Sequence, residues 1–280
     1  MGALSILLCV LGSALALPID NAFLNVGTSE LIFGGKPVKQ GDLPMQALAS
    51  FIDSDGKPYT CGGTLISKNH VLTAAHCTPY MKEKVMIMVG SVHKQNVTNA
   101  QWRKVTKIHV HPRYEHDGID TYDDIAILEF SPAVSLNRNV KLANIYKNDE
   151  EYVKERRAVV AGFGTYKYKN GTLKAEHSRE LLAIDVNLYP SDFCSNSWEY
   201  FRAEDQLCAG AKDKGVGPGD SGGPLYVVRP GRLIQIGLTS FAPDPKAMEH
   251  DQDKSPSIFT RVSHYCDFIS EKTEGAAQCK

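Results

Sequence analysis

Gly219-Asp220-Ser221-Gly222-Gly223-Pro224 sets one serine among glycines. A serine nucleophile needs an exposed hydroxyl, a base to take its proton, and backbone N–H groups aimed at the oxyanion that develops. Glycines on both sides let a tight loop present the Ser221 hydroxyl and turn the Gly219 and Ser221 amides into one small hole. Alone, such a segment reads equally well as a surface turn. Two further stretches accompany it: Leu72-Thr73-Ala74-Ala75-His76-Cys77 upstream, and Asp123-Asp124-Ile125-Ala126-Ile127-Leu128 between the two. They contribute a histidine that can act as base and a carboxylate that can orient it.

The three stretches, in the order His, Asp, Ser, resemble the trypsin/chymotrypsin family of serine proteases, over Ile32 to about Ile269. The resemblance implies that Ser221 attacks a peptide carbonyl while His76 takes its proton and later returns it to the leaving amine. Asp124 would hold the imidazole in the right tautomer and stabilise the imidazolium. Asp124 is preferred to Asp123 because it directly precedes the apolar run Ile125-Ala126-Ile127-Leu128. Alternation along a strand then turns Asp123 the other way, and Asp123 is read as a solvated loop acid. Ser240, in Leu238-Thr239-Ser240-Phe241, resembles the serine that supports the buried aspartate of this family.

The chain has 280 residues, 42% hydrophobic and 22% charged, enough for a sizeable core. Its net charge of −1 gives no electrostatic reason to expect nucleic acid or an anionic membrane as partner. Residues Leu4 to Leu17 are apolar or small, too short a run to span a bilayer. Ala14-Leu15-Ala16 is a small-x-small cleavage pattern, so residues 1–16 read as a signal peptide and the protein as secreted. Seven cysteines are present, and Cys9 leaves with the signal. An even set in a secreted chain reads as a disulfide framework. The resemblance implies Cys61–Cys77 beside the histidine and Cys194–Cys208 ahead of the serine. That leaves Cys266 with Cys279, a pair the family pattern does not supply. Asn96-Val97-Thr98 and Asn170-Gly171-Thr172 are sequons, making Asn96 and Asn170 candidate glycosylation sites.

Short apolar runs separated by turns fill the chain, among them Val85–Val89, Ala158–Gly162, Leu182–Val186 and Leu233–Leu238. Helical character is confined to the end, over Tyr265 to Lys272. Many short strands point to an all-β barrel or sandwich. The resemblance narrows this to two packed six-stranded antiparallel β-barrels with a short C-terminal helix and a catalytic cleft between the barrels.

Ile32-Phe33-Gly34-Gly35 resembles the mature N-terminus of the family, so residues 17–31 read as an activation propeptide and 32–280 as the protease domain. Cleavage between Leu31 and Ile32 would free an ammonium group that buries itself against Asp220, ordering Gly217–Gly219 and the oxyanion hole. The propeptide holds no Lys or Arg, which disfavours a trypsin-type activator. The family reads the residue before the cut, P1, in a pocket whose floor lies six residues before the nucleophile, here Gly215. Val216, Ser240, Phe241, Ala242 and Ser257 are the expected neighbours, and none is acidic. An unpaired Lys or Arg would be costly there, so Leu-, Met- or Phe-like P1 residues are expected.

The chain departs from the family pattern at three places. Gly217 stands where a pocket cysteine is usual. The segment Ala242 to Lys254 is long and carries Asp244, Glu249, Asp251 and Asp253; it is read as a solvated loop, with an acid entering the pocket as the alternative. Val89-Gly90 is followed by Ser91, without the Glu of the calcium-binding members, so neither metal nor cofactor is expected. The expected partners are protein or peptide substrates and protein protease inhibitors, with a monomeric enzyme. The competing readings are a narrow regulatory protease and a protease-like binding protein, which would ordinarily have lost a triad residue or the oxyanion glycine.

Overall fold

The computed structural model describes residues 33–95, 98, 100–116, 121–168 and 175–280. The first barrel is built from β1 (Gln46–Ile52), β2 (Pro58–Leu65), β3 (His70–Thr73), β4 (Glu83–Val89), β5 (Gln101–Val110) and β6 (Ala126–Ser131). These six close in the order β1-β2-β3-β6-β5-β4. The second uses β7 (Arg157–Gly162), β8 (Leu182–Leu188), β9 (Gln206–Gly210), β10 (Pro224–Arg229), β11 (Arg232–Phe241) and β12 (Ser257–Arg261). Its order is β8-β7-β10-β11-β12-β9, closed by a β8–β9 pairing, with Lys36–Pro37 added alongside β8. All pairings within both barrels are antiparallel. The fold is therefore the expected pair of six-stranded barrels.

Each barrel encloses its own apolar filling. Phe51, Leu65, Val71, Ile87, Leu128 and Phe130 fill the first, and Val160, Leu182, Ile184, Leu225, Ile236 and Phe259 the second. A side chain such as Phe130, 1% exposed, contributes about 1.5–3 kcal/mol by leaving water. A third cluster, with Leu48 and Met88 from one barrel and Val159, Ala161 and Tyr226 from the other, welds the two together. The helix Cys266–Lys272 follows a short 3₁₀ turn, Val262–Tyr265. It lays Phe268 and Ile269 across Leu72, Ile125 and Ile127 of the first barrel. Cys266–Cys279 closes the chain end behind it.

Strand register already gathers the chemistry-bearing residues. Thr73 on β3 lies opposite Ala126 on β6. In an antiparallel pair, the residues just after one strand and just before the other leave from the same end, which puts His76 near Asp124. Pro224 on β10 lies opposite Leu238 on β11, so Ser221 and Ser240 likewise emerge together. The two barrels touch closely here. Gly62 donates its N–H to the Ser221 carbonyl at 2.8 Å, and a Cβ on Gly62 would stand 2.7 Å from the Gly223 Cα.

Candidate active site

His76 sits on the 3₁₀ turn Ala75–Tyr80, tied to β2 by the Cys61–Cys77 disulfide. Its Nδ1 is 2.8 Å from Asp124 Oδ2, and its backbone N–H donates to Asp124 Oδ1 at 2.8 Å. Ser240 Oγ donates to the same Oδ2 at 2.5 Å, and the Asp124 carbonyl accepts from Thr260 Oγ1 at 2.9 Å. Asp124 is therefore clamped from both barrels while only 1% exposed. A carboxylate facing Nδ1 assigns the proton to that nitrogen and leaves Nε2 as the lone-pair side. Burial alone would push the Asp124 carboxyl up, but the His76 imidazole and the donated hydrogen bonds hold it below its ordinary value. Burial alone would lower His76, and the Asp124 carboxylate outweighs it, so the imidazole is raised above 6.5.

Ser221 and His76 share one cleft of roughly 800 Å³ that also takes in Gly219, Tyr59, Lys94 and His177. The serine loop is stitched down by its backbone: Gly222 N–H to the Thr239 carbonyl and Thr239 N–H to the Gly223 carbonyl, both at 2.8 Å. Gly219 has φ +94°, and a Cβ there would press on Gly164; a glycine releases that strain. Beside the serine, Asp220 is fully buried and accepts N–H groups from Gly164 at 2.8 Å and Gly217 at 3.0 Å. Burial raises its carboxyl to about 6, against the two N–H donors and the Lys94 ammonium.

On the far side of Ser221 lies a second cavity of about 170 Å³, walled by Val216, Pro218, Ser240, Phe241, Ala242 and Met248. Four expected pocket residues line it. Gly215 and Ser257 do not: they stand behind it, packed against Gln252. The segment after Ala242 is not the solvated loop the sequence suggested. It folds into the helix Pro245–His250, capped by the Asp244 carboxylate accepting from Lys246 and Ala247 N–H groups, with Met248 buried. Asp followed by Pro is a helix-start signal that could have found it. Of its other acids, Asp251 pairs with Lys254 at 2.8 Å and Glu249 lies 3.8 Å from His250; none lines the cavity.

Asp123 needs a similar correction. It is 6% exposed, not solvated, and accepts from Arg113 at 3.1 Å and Arg202 at 3.3 Å. Arg202 also bridges to Asp205, and Tyr265 donates to that same acid at 3.1 Å, so the buried Asp123 and Asp205 carboxylates are linked to arginines that reach towards solvent. Such a carboxylate is stable in the interior because it is paired. The three disulfides join Cys61 to Cys77, Cys194 to Cys208 and Cys266 to Cys279. Leu31, Ile32, Asn96 and Asn170 lie outside the described residues. Among the described residues no helix is long and apolar enough to cross a membrane, and no group of three His, Cys, Asp or Glu is placed to hold a metal ion.

The family model described as Trypsin matches residues 32–269. Chymotrypsin-like elastase family member 1 of Rattus norvegicus is 29% identical over 244 residues, 87% of this chain and 90% of that protein. Chymotrypsin-C of Mus musculus is 31% identical over 255 residues, covering 88% and 90% of the two chains. The solved "Structure of GrC" superposes with a TM-score of 0.73 at 25% identity, over 86% of this chain and 99% of its own.

Proposed function

The chain belongs to the trypsin family and is a serine endopeptidase, and from that premise we propose that His76, Asp124 and Ser221 are its catalytic triad. The observation that carries the reading is the hydrogen-bonded line Ser240–Asp124–His76 ending in the cleft that Ser221 lines. Ser221 Oγ attacks the substrate carbonyl as its proton passes to His76 Nε2. The carbonyl oxygen takes the negative charge and is met by the Gly219 and Ser221 N–H groups. The imidazolium, stabilised by Asp124, then protonates the leaving amine. Water repeats the sequence on the acyl-enzyme and releases the acid. Each oxyanion donor in such a site is worth about 10²–10³ in kcat.

The enzyme is made as a secreted zymogen in this reading, with residues 1–16 removed on export and cleavage between Leu31 and Ile32 supplying the ammonium group that meets Asp220. The buried, protonatable carboxyl of Asp220 supports this, because an acid so far from solvent awaits a cationic partner. Proteins and peptides are the substrates, and protein protease inhibitors are candidate ligands of the same cleft. The P1 side chain is apolar: no acid among the described residues lines the 170 Å³ cavity, and a Lys or Arg desolvated there without a counter-charge would cost several kcal/mol, on the order of a lost buried ion pair.

The test is labelling by a fluorophosphonate probe after cleavage at Leu31, followed by mapping of cut sites in a peptide library. Labelling at Ser221 with cuts after apolar residues is expected. An unlabelled, correctly cleaved chain would return the assignment to a protease-like binding protein.

A further inference from the structure

The wall behind the 170 Å³ cavity is organised by a residue outside the triad and its supports. Gly215 carries no side chain, and the space beside it is filled: a Cβ there would collide with the Gln252 carboxamide. Gln252 is 1% exposed. Its Nε2 donates to the Val216 and Met248 carbonyls, both at 2.9 Å, and its Oε1 accepts from Ser257 Oγ at 2.7 Å. One amide thus ties together the loop wall at Val216, the helix Pro245–His250 and the first residue of β12. All six cysteines of the described chain pair elsewhere, so no disulfide braces these walls. A buried amide with both donor hydrogens and its acceptor engaged is rigidly held, since each bond left unmade would carry a desolvation penalty.

Met248 is the product of that arrangement. It is 9% exposed, packs with Phe33 and Ala242, and lines the cavity, whereas Gly215, Ser257 and Gln252 do not. We infer that Met248 is the stop that sizes the substrate side chain entering this cavity, and that Gln252 positions it by filling the place a side chain at 215 would take. The inference rests on the reading of Ser221 as nucleophile and deepens it: the preferred P1 residues are short to medium aliphatics, Ala to Leu, and an aromatic ring meets the methionine. Specificity has moved from the residue before the serine loop to the helical segment between β11 and β12.

The experiment uses the full chain cleaved at Leu31, with active sites counted by a fluorophosphonate probe before each assay. Matched peptide substrates carrying Ala, Leu or Phe at P1 give kcat/KM. Met248→Ala deepens the cavity and is expected to raise the Phe-to-Leu ratio by at least tenfold, the scale on which apolar pockets discriminate bulk. Met248→Phe fills it and is expected to shift preference from Leu to Ala, so the proposal stays testable if either variant folds poorly. Gln252→Leu keeps the volume but removes three hydrogen bonds. It is expected to raise KM for all three substrates about tenfold or more with a smaller change in kcat, because the walls loosen while the triad is untouched. Ratios unchanged within twofold in both Met248 variants, with normal active-site counts, would overturn the role of Met248 and leave the nucleophile reading standing. A wild-type chain that cannot be titrated at all would overturn both.

Discussion

Asp220→Asn in the uncleaved chain isolates the energetics of the proposed activation switch. Asp220 is fully buried with two backbone N–H donors, and burial still lifts its carboxyl from 3.8 to about 6. Between those values the folded chain holds a proton that the unfolded chain has released, so unfolding free energy falls as pH rises through that window. The displacement corresponds to roughly 3 kcal/mol at pH 7 that is absent at pH 4. Asparagine cannot titrate, and its own loss of a hydrogen bond is the same at both pH values. Thermal melts of wild type and Asp220→Asn, both carrying Ser221→Ala to prevent self-processing, are the assay. Relative to the Asn variant, wild type is expected to lose roughly 6–12 °C of Tm between pH 4 and pH 7, at 2–4 °C per kcal/mol for a chain of this size. Under the proposed activation, in which cleavage before Ile32 gives the carboxylate an ammonium partner, the same substitution is expected to destabilise the cleaved chain by about 3–5 kcal/mol at pH 7. Parallel curves within 2 °C across the pH range in the uncleaved pair would show that Asp220 is not held neutral by burial, and the switch would need another cause.

Four other substitutions or profiles probe the site. Ser221→Ala removes only the nucleophile, so kcat should fall about 10⁶-fold with an unchanged thermal melt; activity within tenfold of wild type rules the assignment out. With His76 raised above 6.5, kcat/KM should decline on the acid side with a midpoint above pH 6.5, as the base becomes protonated. A flat profile from pH 5 to pH 8 excludes that base. Ser240→Ala deletes the 2.5 Å donor to Asp124; hydrogen bonds to charged groups are worth about 1.5–3 kcal/mol, so kcat should drop about tenfold or more with little change in KM. N-terminal sequencing of the active form should begin at Ile32, and traces of active enzyme should clip a Ser221→Ala zymogen after Leu31 but not a Leu31→Lys variant. Faster clipping of the Lys variant would place an acid in the pocket after all.

Individual strands were legible because strand alternation and turn chemistry are local, whereas the closing of those strands into two barrels was legible only through the family resemblance. Leu182–Val186 reads as a strand from its own residues, and the structure extends it only to Leu188. The grouping of His76, Asp124 and Ser221 was legible through the three motifs that resemble the family; the physical cause, seen only in the structure, is that each sits next to a strand end, so register does the assembling. The burial of Asp123 was not legible. Asp123 and Asp124 are adjacent and identical in kind, yet both are buried, Asp124 against the His76 imidazole and Asp123 against the His111 ring and the guanidiniums of Arg113 and Arg202. A partner 79 residues away leaves no mark beside Asp123 in the sequence.

The cavity behind Ser221 illustrates the limit most sharply. Gly215 announces only that a side chain is missing, and the four acids between 244 and 253 drew attention because charge is visible in a string of letters. What entered the gap is the neutral residue among them. Gln252 has to satisfy two donors and an acceptor once buried, and Val216, Met248 and Ser257 offer the matching groups. A carboxylate at the same position would face the two carbonyls with lone pairs and no protons, a repulsive arrangement in a dry site. The hydrogen-bonding complement of the cavity wall, set by backbone carbonyls that every sequence possesses, therefore selects an amide over an acid. That selection keeps the pocket neutral, which is what the proposed preference for an apolar substrate side chain requires.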